Sequence, residues 1–139
     1  MSARTKARKR ALDIMYESEL RGLPLDGTLR ERSDDRAAEG APLNPYTVAL
    51  VEGVVEHQEA IDRLLGAYSV GWTLDRMPAV DRNLLRLGAY EILHADDVPD
   101  EVAISEAVAL AHQLSTDDSA GFVNGILARL AERNPSVAS

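Results

Sequence analysis

Between Pro78 and Leu93 the chain carries Val80, Leu84, Leu85, Leu87, Ala89, Tyr90, Ile92 and Leu93. At helical spacing these residues cover more than one face. A helix that is apolar on most sides must be enclosed by neighbours, so this segment requires a bundle of other helices around it. The rest of the chain supplies them. Apolar residues recur with helical period from Thr5 to about Leu20 (Ala11, Leu12, Ile14, Met15, Tyr16, Leu20) and from Pro45 to about Tyr68 (Leu50, Val51, Val54, Ile61, Leu64, Leu65, Tyr68). A third stripe, Ile104, Ala107, Val108 and Ala111, ends near Leu114, and a fourth holds Phe122, Val123, Ile126, Leu127 and Leu130 before fraying at Asn134-Pro135.

Punctuation between these stripes is consistent with helices. Asn44 is the expected N-cap ahead of Pro45 in the first helical position. Ser115 followed by Asp118 reads as a capping box. The loosest stretch, Gly22–Asn44, leaves room for a short charged helix over Leu29–Glu39, and turns are expected at Val70–Met77 and at Asp96-Asp97-Val98-Pro99. Gly53 and Gly125, inside helices, are expected to mark close helix contacts, because glycine otherwise costs roughly 1 kcal/mol relative to alanine. No segment shows strand alternation. Aromatic residues make up only 4% of the chain, so the core is aliphatic, which suits helices better than a sheet sandwich. The expected fold is all-α, with five long helices and one or two short ones.

The charge is unevenly placed. Arg4, Lys6, Arg8, Lys9 and Arg10 crowd the first ten residues, and no acid lies among them. The remainder has ten basic residues against 23 acidic ones, a net of −13. Concentrated positive charge favours a polyanion, whose neutralisation releases counterions. These cations fall in the first two turns of the opening helix or in an arm before it. There they oppose the helix dipole, which prefers acids at its N-terminus. A local rule broken without structural gain points toward function. The bland alternative is a solvated leader.

Other chemistries find little support. The chain has no cysteine, so disulfide frameworks, thiolate zinc sites and a cysteine nucleophile are excluded. His57, His94 and His112 lack ligand spacing. The acidic run Asp96, Asp97, Asp100 and Glu101 lacks the pattern of a calcium loop and reads as helix capping. No phosphate loop, dinucleotide fingerprint or nucleophile elbow is present. The expectation is a cytoplasmic binding protein without cofactor or metal, not an enzyme.

The stretch Asp81-Arg82-Asn83-Leu84-Leu85-Arg86-Leu87-Gly88-Ala89-Tyr90-Glu91-Ile92-Leu93 is followed by Val98-Pro99 and by Val102-Ala103-Ile104-Ser105-Glu106-Ala107-Val108. Ser119 and Phe122-Val123-Asn124-Gly125-Ile126-Leu127 come next. With the basic opening Lys6-Ala7-Arg8-Lys9-Arg10-Ala11 and Tyr16, this order resembles the NusB family of transcription antitermination factors. The resemblance covers the chain except Gly22–Asn44, and its most specific parts are V-P-x-x-V-A-I-x-E-A-V and F-V-N-G-I-L. It implies a compact bundle of six or seven helices in two similar subdomains. The first would run to about 77 behind a basic arm (1–10), and the second over 78–134.

The resemblance further implies binding to the boxA element of ribosomal RNA leader transcripts. NusE, a small-subunit ribosomal protein, would be the partner within an RNA polymerase antitermination complex containing other Nus factors. Arg4, Lys6, Arg8, Lys9, Arg10 and Phe122 would then face RNA, and Tyr16, Asp81 and Asp118 would face the protein partner. Phe122 and Tyr16 are also in phase with the core stripes, which leaves packing as the alternative. A similar helical domain precedes the catalytic domain of some ribosomal RNA cytosine methyltransferases. No cofactor domain fits within these 139 residues, so the stand-alone factor is the expectation. The competing reading is a protein-interaction or homodimerising bundle, with Trp72 or Val70 feeding its interface.

Overall fold

The computed structural model describes residues 2–69 and 71–133, so Val70 and the fraying expected at Asn134-Pro135 lie outside the described residues. Among the described residues there are six α-helices and no strand: α1 (Ala3–Arg21), α2 (Leu25–Ala38), α3 (Pro45–Tyr68), α4 (Ala79–His94), α5 (Asp100–Leu114) and α6 (Asp117–Arg133). A single 3₁₀ turn, Leu74–Arg76, precedes α4. The short charged helix expected over Leu29–Glu39 is a longer one that begins at Leu25.

Local chemistry sets the helix ends. Ser2 caps α1, its Oγ accepting from Thr5 N at 3.0 Å. The basic segment is therefore not an arm ahead of the helix but its first two turns. At the other end Gly22 adopts a left-handed φ of 64°. Its N–H and that of Leu23 return to Glu19 O and Ser18 O, closing the helix as a glycine C-cap does. Asn44 caps α3 as expected, Oδ1 accepting from Tyr46 N at 2.8 Å. The cap of α6 differs from the expectation by one residue. Thr116, not Ser115, accepts from Ser119 N at 3.0 Å.

The chain packs as two units, one up to Glu56 and one from His57 onward. The sequence reading divided the chain near 77, whereas packing groups the second half of α3 with the helices that follow. In the first unit α1 packs on α2 and buries Ala7, Ala11, Leu12, Ile14 and Met15. Thr47 ties the start of α3 to α1 by donating to Ala7 O at 3.0 Å.

In the second unit α4, α5 and α6 pack pairwise. Leu84, Leu85, Leu87 and Ala89 of α4 are buried, as are Ala103, Ala107, Leu110 and Ala111 of α5 and Val123, Ile126, Leu127 and Leu130 of α6. Each fully buried Leu, Ile or Val side chain contributes roughly 1.5–3 kcal/mol. The side chain of Leu127 packs directly on the backbone of Gly88, where an added Cβ would lie 2.5 Å from Leu127 Cδ1. At Gly125, one of the two glycines expected to mark a close helix contact, the nearest atom would be Arg129 Nη2 at 3.7 Å. Arg86 on α4 grips Asp62 on α3 through two hydrogen bonds, of 2.8 and 3.0 Å.

Candidate nucleic-acid interface

Four residues of α1 face one cleft. Ala3, Lys6, Ala7 and Arg10 line it, with Arg36 of α2, Leu43 and Asn44 of the connecting loop, and Thr47 of α3. Its volume is about 350 Å³. Lys6 and Arg10 share this wall because residues four apart lie on one helix face. Arg36 donates from Nε to Ala41 O at 2.9 Å, which fixes the guanidinium in the lining. Arg10 Nε is shielded from solvent and meets no acceptor among the described residues. A shielded donor without an acceptor is costly. Three cations converge here, one of them carrying that donor, and form a place for an anion.

The second four-residue pair, Arg4 and Arg8, faces Tyr46 in the first turn of α3. Their guanidinium carbons lie 4.2 and 5.5 Å from the ring centroid, within cation–π range. Arg4 is exposed, but Arg8 is only 4% exposed. Its guanidinium is enclosed beside the Tyr46 ring rather than open to solvent. Lys9 lies on another side of the helix, with Nζ 3.6 Å from Asp13 Oδ2. The helix thus sorts its five cations into three groups, of which Lys6 and Arg10 face the cleft.

Sequence reasoning missed Arg36 and Tyr46. Arg36 lies in a charged segment that reads as a solvated face, and nothing local marks it. Tyr46 had a usable signal, an aromatic immediately after the Asn44-Pro45 helix start.

Tyr16 and Leu20, four residues apart on α1, are 37% and 69% exposed. Tyr16 is therefore a surface residue and not a core one. In the second unit Asp118 is exposed on the first turn of α6. Asp81 is not: it is fully buried, and its Oδ2 accepts from Ser119 Oγ at 2.7 Å. The carboxylate joins α4 to the start of α6, while its other oxygen, Oδ1, meets no hydrogen-bond partner among the described residues. Ser119 also receives the hydroxyls of Ser115 and Thr116.

Phe122, one turn beyond Asp118, is half-buried and packs edge-on against Trp72 with ring centroids 5.1 Å apart. His57 and His94, distant in sequence, stack at 3.8 Å. No group of three or more metal-ligating side chains occurs among the described residues. No helix among them is long and apolar enough to cross a membrane.

Comparison with known proteins places this architecture. The chain is 61% identical to the transcription antitermination protein NusB of Nocardioides sp., over 99% of this chain and all of that protein. A NusB structure from T. maritima superposes with a TM-score of 0.80 at 34% identity, covering 96% of this chain and 93% of that one. The NusB chain of a crystal structure of antitermination factors NusB and NusE with double-stranded RNA superposes at 0.78 and 26% identity, covering 93% and 96%. The family's sequence profile matches residues 5–132, and the chain belongs to the NusB family.

Proposed function

We propose that this chain is a transcription antitermination factor that binds the boxA element of ribosomal RNA leader transcripts together with NusE. In this reading it joins the RNA polymerase complex with other Nus factors in the cytoplasm and supports ribosomal RNA synthesis. Its role is binding and not catalysis. The observation that carries the reading is the cleft of Lys6, Arg10 and Arg36 beside the Arg4–Tyr46–Arg8 stack. Unpaired RNA is held by cations on phosphates and by planar groups against bases, and this face offers both.

Lys6, Arg10 and Arg36 take phosphate, Arg4 and Tyr46 meet a base or sugar, Arg8 orients Tyr46, and Lys9 adds long-range attraction. Phe122 contributes a ring from the second unit. The similarity to a NusB chain solved with NusE and RNA supports the same partners here.

NusE meets Tyr16 and Asp118 in this reading, and Asp81 acts through the α6 turn it anchors. Because the rest of the chain is strongly acidic, tight RNA binding requires the heterodimer. The exposed Tyr16–Leu20 face also favours a second reading, in which that face pairs two copies of this chain and RNA is not bound directly.

Fluorescence anisotropy of a boxA RNA, with and without NusE, separates the two. The first reading expects salt-sensitive binding that strengthens with NusE and weakens about tenfold in Arg10→Ala and Arg36→Ala. Equal binding with and without NusE would refute the need for the heterodimer. No binding in either case, with a dimer in sedimentation, would favour the second reading.

A further inference from the structure

Along α2 every side chain is exposed except those of Leu25, Thr28, Leu29, Arg32, Ser33 and Arg36. Their spacing is that of one helix face, yet only Thr28 and Leu29 are buried. Where an amphipathic helix would continue its apolar stripe, α2 places two arginines. The helix has 14 residues and no side-chain N-cap. A helix of that length is marginal in water unless its neighbours hold it, and α2 packs on α1.

In its C-terminal half that contact is ionic. Arg32 Nε lies 3.4 Å from Glu17 Oε1 of α1, and the other two guanidinium nitrogens meet Glu31 and Asp35 of its own helix at 3.0 and 3.2 Å. The second oxygen of Glu17 accepts from Arg21, which also reaches Glu31 at 3.2 Å. Glu17 is thus the α1 end of both links. The Glu17 and Arg32 side chains are 31% and 30% exposed, so water and salt screen them less than a pair on the open surface.

Arg36 lies one turn beyond Arg32 and enters the cleft wall. Its Nε bond to Ala41 O, and the return bond from Ala41 N to Arg36 O at 3.0 Å, tie it to the turn that closes its own helix. Neither bond holds α2 against α1. We infer that Glu17 and Arg32 are positioning residues for the cleft: their ion pair keeps the C-terminal half of α2 on α1 and so keeps Arg36 beside Lys6 and Arg10. The inference rests on the reading of that cleft as a phosphate site. Neither residue is placed to hold RNA itself, since Glu17 repels phosphate and the charge of Arg32 is already shared among three carboxylates.

Glu17→Ala separates position from charge, because the two predict opposite signs. Removing an acid would tighten RNA binding through the long-range field alone, whereas losing the position of Arg36 weakens it. Anisotropy of boxA RNA is measured at saturating NusE for the native chain, Glu17→Ala, Arg36→Ala and the double variant, with hydrogen exchange of the full chain followed in parallel. Glu17→Ala should lose about threefold in affinity. It should lose nothing further in the Arg36→Ala background, as expected of residues acting through one another. Amides of α2 should exchange faster in Glu17→Ala, and those of residues 45–56 should not.

Unchanged or tighter RNA binding by Glu17→Ala overturns the inference and leaves the RNA-binding reading standing. A loss that persists in the Arg36→Ala background does the same, as does unchanged exchange in α2 or native affinity in Arg36→Ala. Absence of RNA binding by the native heterodimer overturns both.

Discussion

The first turns of α1 and of α4 handle charge in opposite ways. At α1 the first turn holds no acid, and Arg4 and Lys6 oppose the helix dipole. At α4 Asp81 sits in the first turn, where the dipole favours it, and is wholly buried against Ser119. The charge that serves the fold is turned inward and bonded. The charges proposed to serve a ligand are held open, at some expense to the helix that carries them. The same α1 shows the contrast along its length. Near its C-terminus Arg21 reaches Glu17 and Glu31 at 2.8 and 3.2 Å, while Lys6 and Arg10 face the cleft.

Replacing both cleft cations, Lys6→Glu with Arg10→Glu, breaks the contrast most severely. RNA affinity of the heterodimer should fall about a hundredfold or more, measured by anisotropy. Thermal stability should change little, because an acid in place of Lys6 lies nearer the helix N-terminus that favours it, whereas Arg10 lies beyond the reach of the dipole. A large stability loss would mean that these cations serve the fold.

Asp81→Ala should do the reverse. Removing the carboxylate takes away the acceptor of the Ser119 hydroxyl proton at a cost of about 1–3 kcal/mol, read as a lower denaturant midpoint. The salt slope of RNA binding by the folded heterodimer should stay unchanged, because every cleft cation remains in place.

A smaller effect separates tight from open backbone. Gly88→Ala places a Cβ against Leu127 and should cost about 1 kcal/mol as overpacking. Gly125→Ala should be neutral or stabilising by up to about 1 kcal/mol. Chemical denaturation of the two variants side by side decides it.

The smallest effect concerns pH. The side chain of Thr73, and then its own backbone N–H, hold the Asp75 carboxyl below its ordinary 3.8. Its contribution to stability is present above that value and is lost as pH falls through the lower folded one. A carboxyl-carbon NMR titration should give a midpoint below 3.8, and Asp75→Asn should flatten the acid limb of the melting curve.

The helices and their order were legible because apolar period and helix-end chemistry are local: the Asn44-Pro45 start and the all-round apolar α4 both stand as read. The tight glycine was not, because packing at Gly88 depends on where Leu127 arrives from α6. The same limit applies to the site. The five cations were visible as a cluster, but their division into a cleft pair, a Tyr46 pair and Lys9 follows from helix phase and from what α2 and α3 bring alongside. The burial of Arg8 and Asp81 was not legible, because charge suggests exposure and only tertiary packing reveals a charged side chain enclosed by its neighbours. Arg36 was invisible because its significance lies in its distance from α1, not in its neighbours along the chain.

The most direct measurement is the salt dependence of boxA RNA binding by the heterodimer, comparing the native chain with Lys6→Ala/Arg10→Ala and with Arg76→Ala/Arg129→Ala. Each phosphate contact on a single strand contributes about 0.7 to the slope of log affinity against log salt. Loss of the two cleft cations should therefore lower the slope by about 1.4, and loss of the two in the second unit should leave it unchanged. Equal slopes for the native chain and the cleft variant, or a drop confined to Arg76→Ala/Arg129→Ala, would contradict the placement of phosphate binding in the α1 cleft.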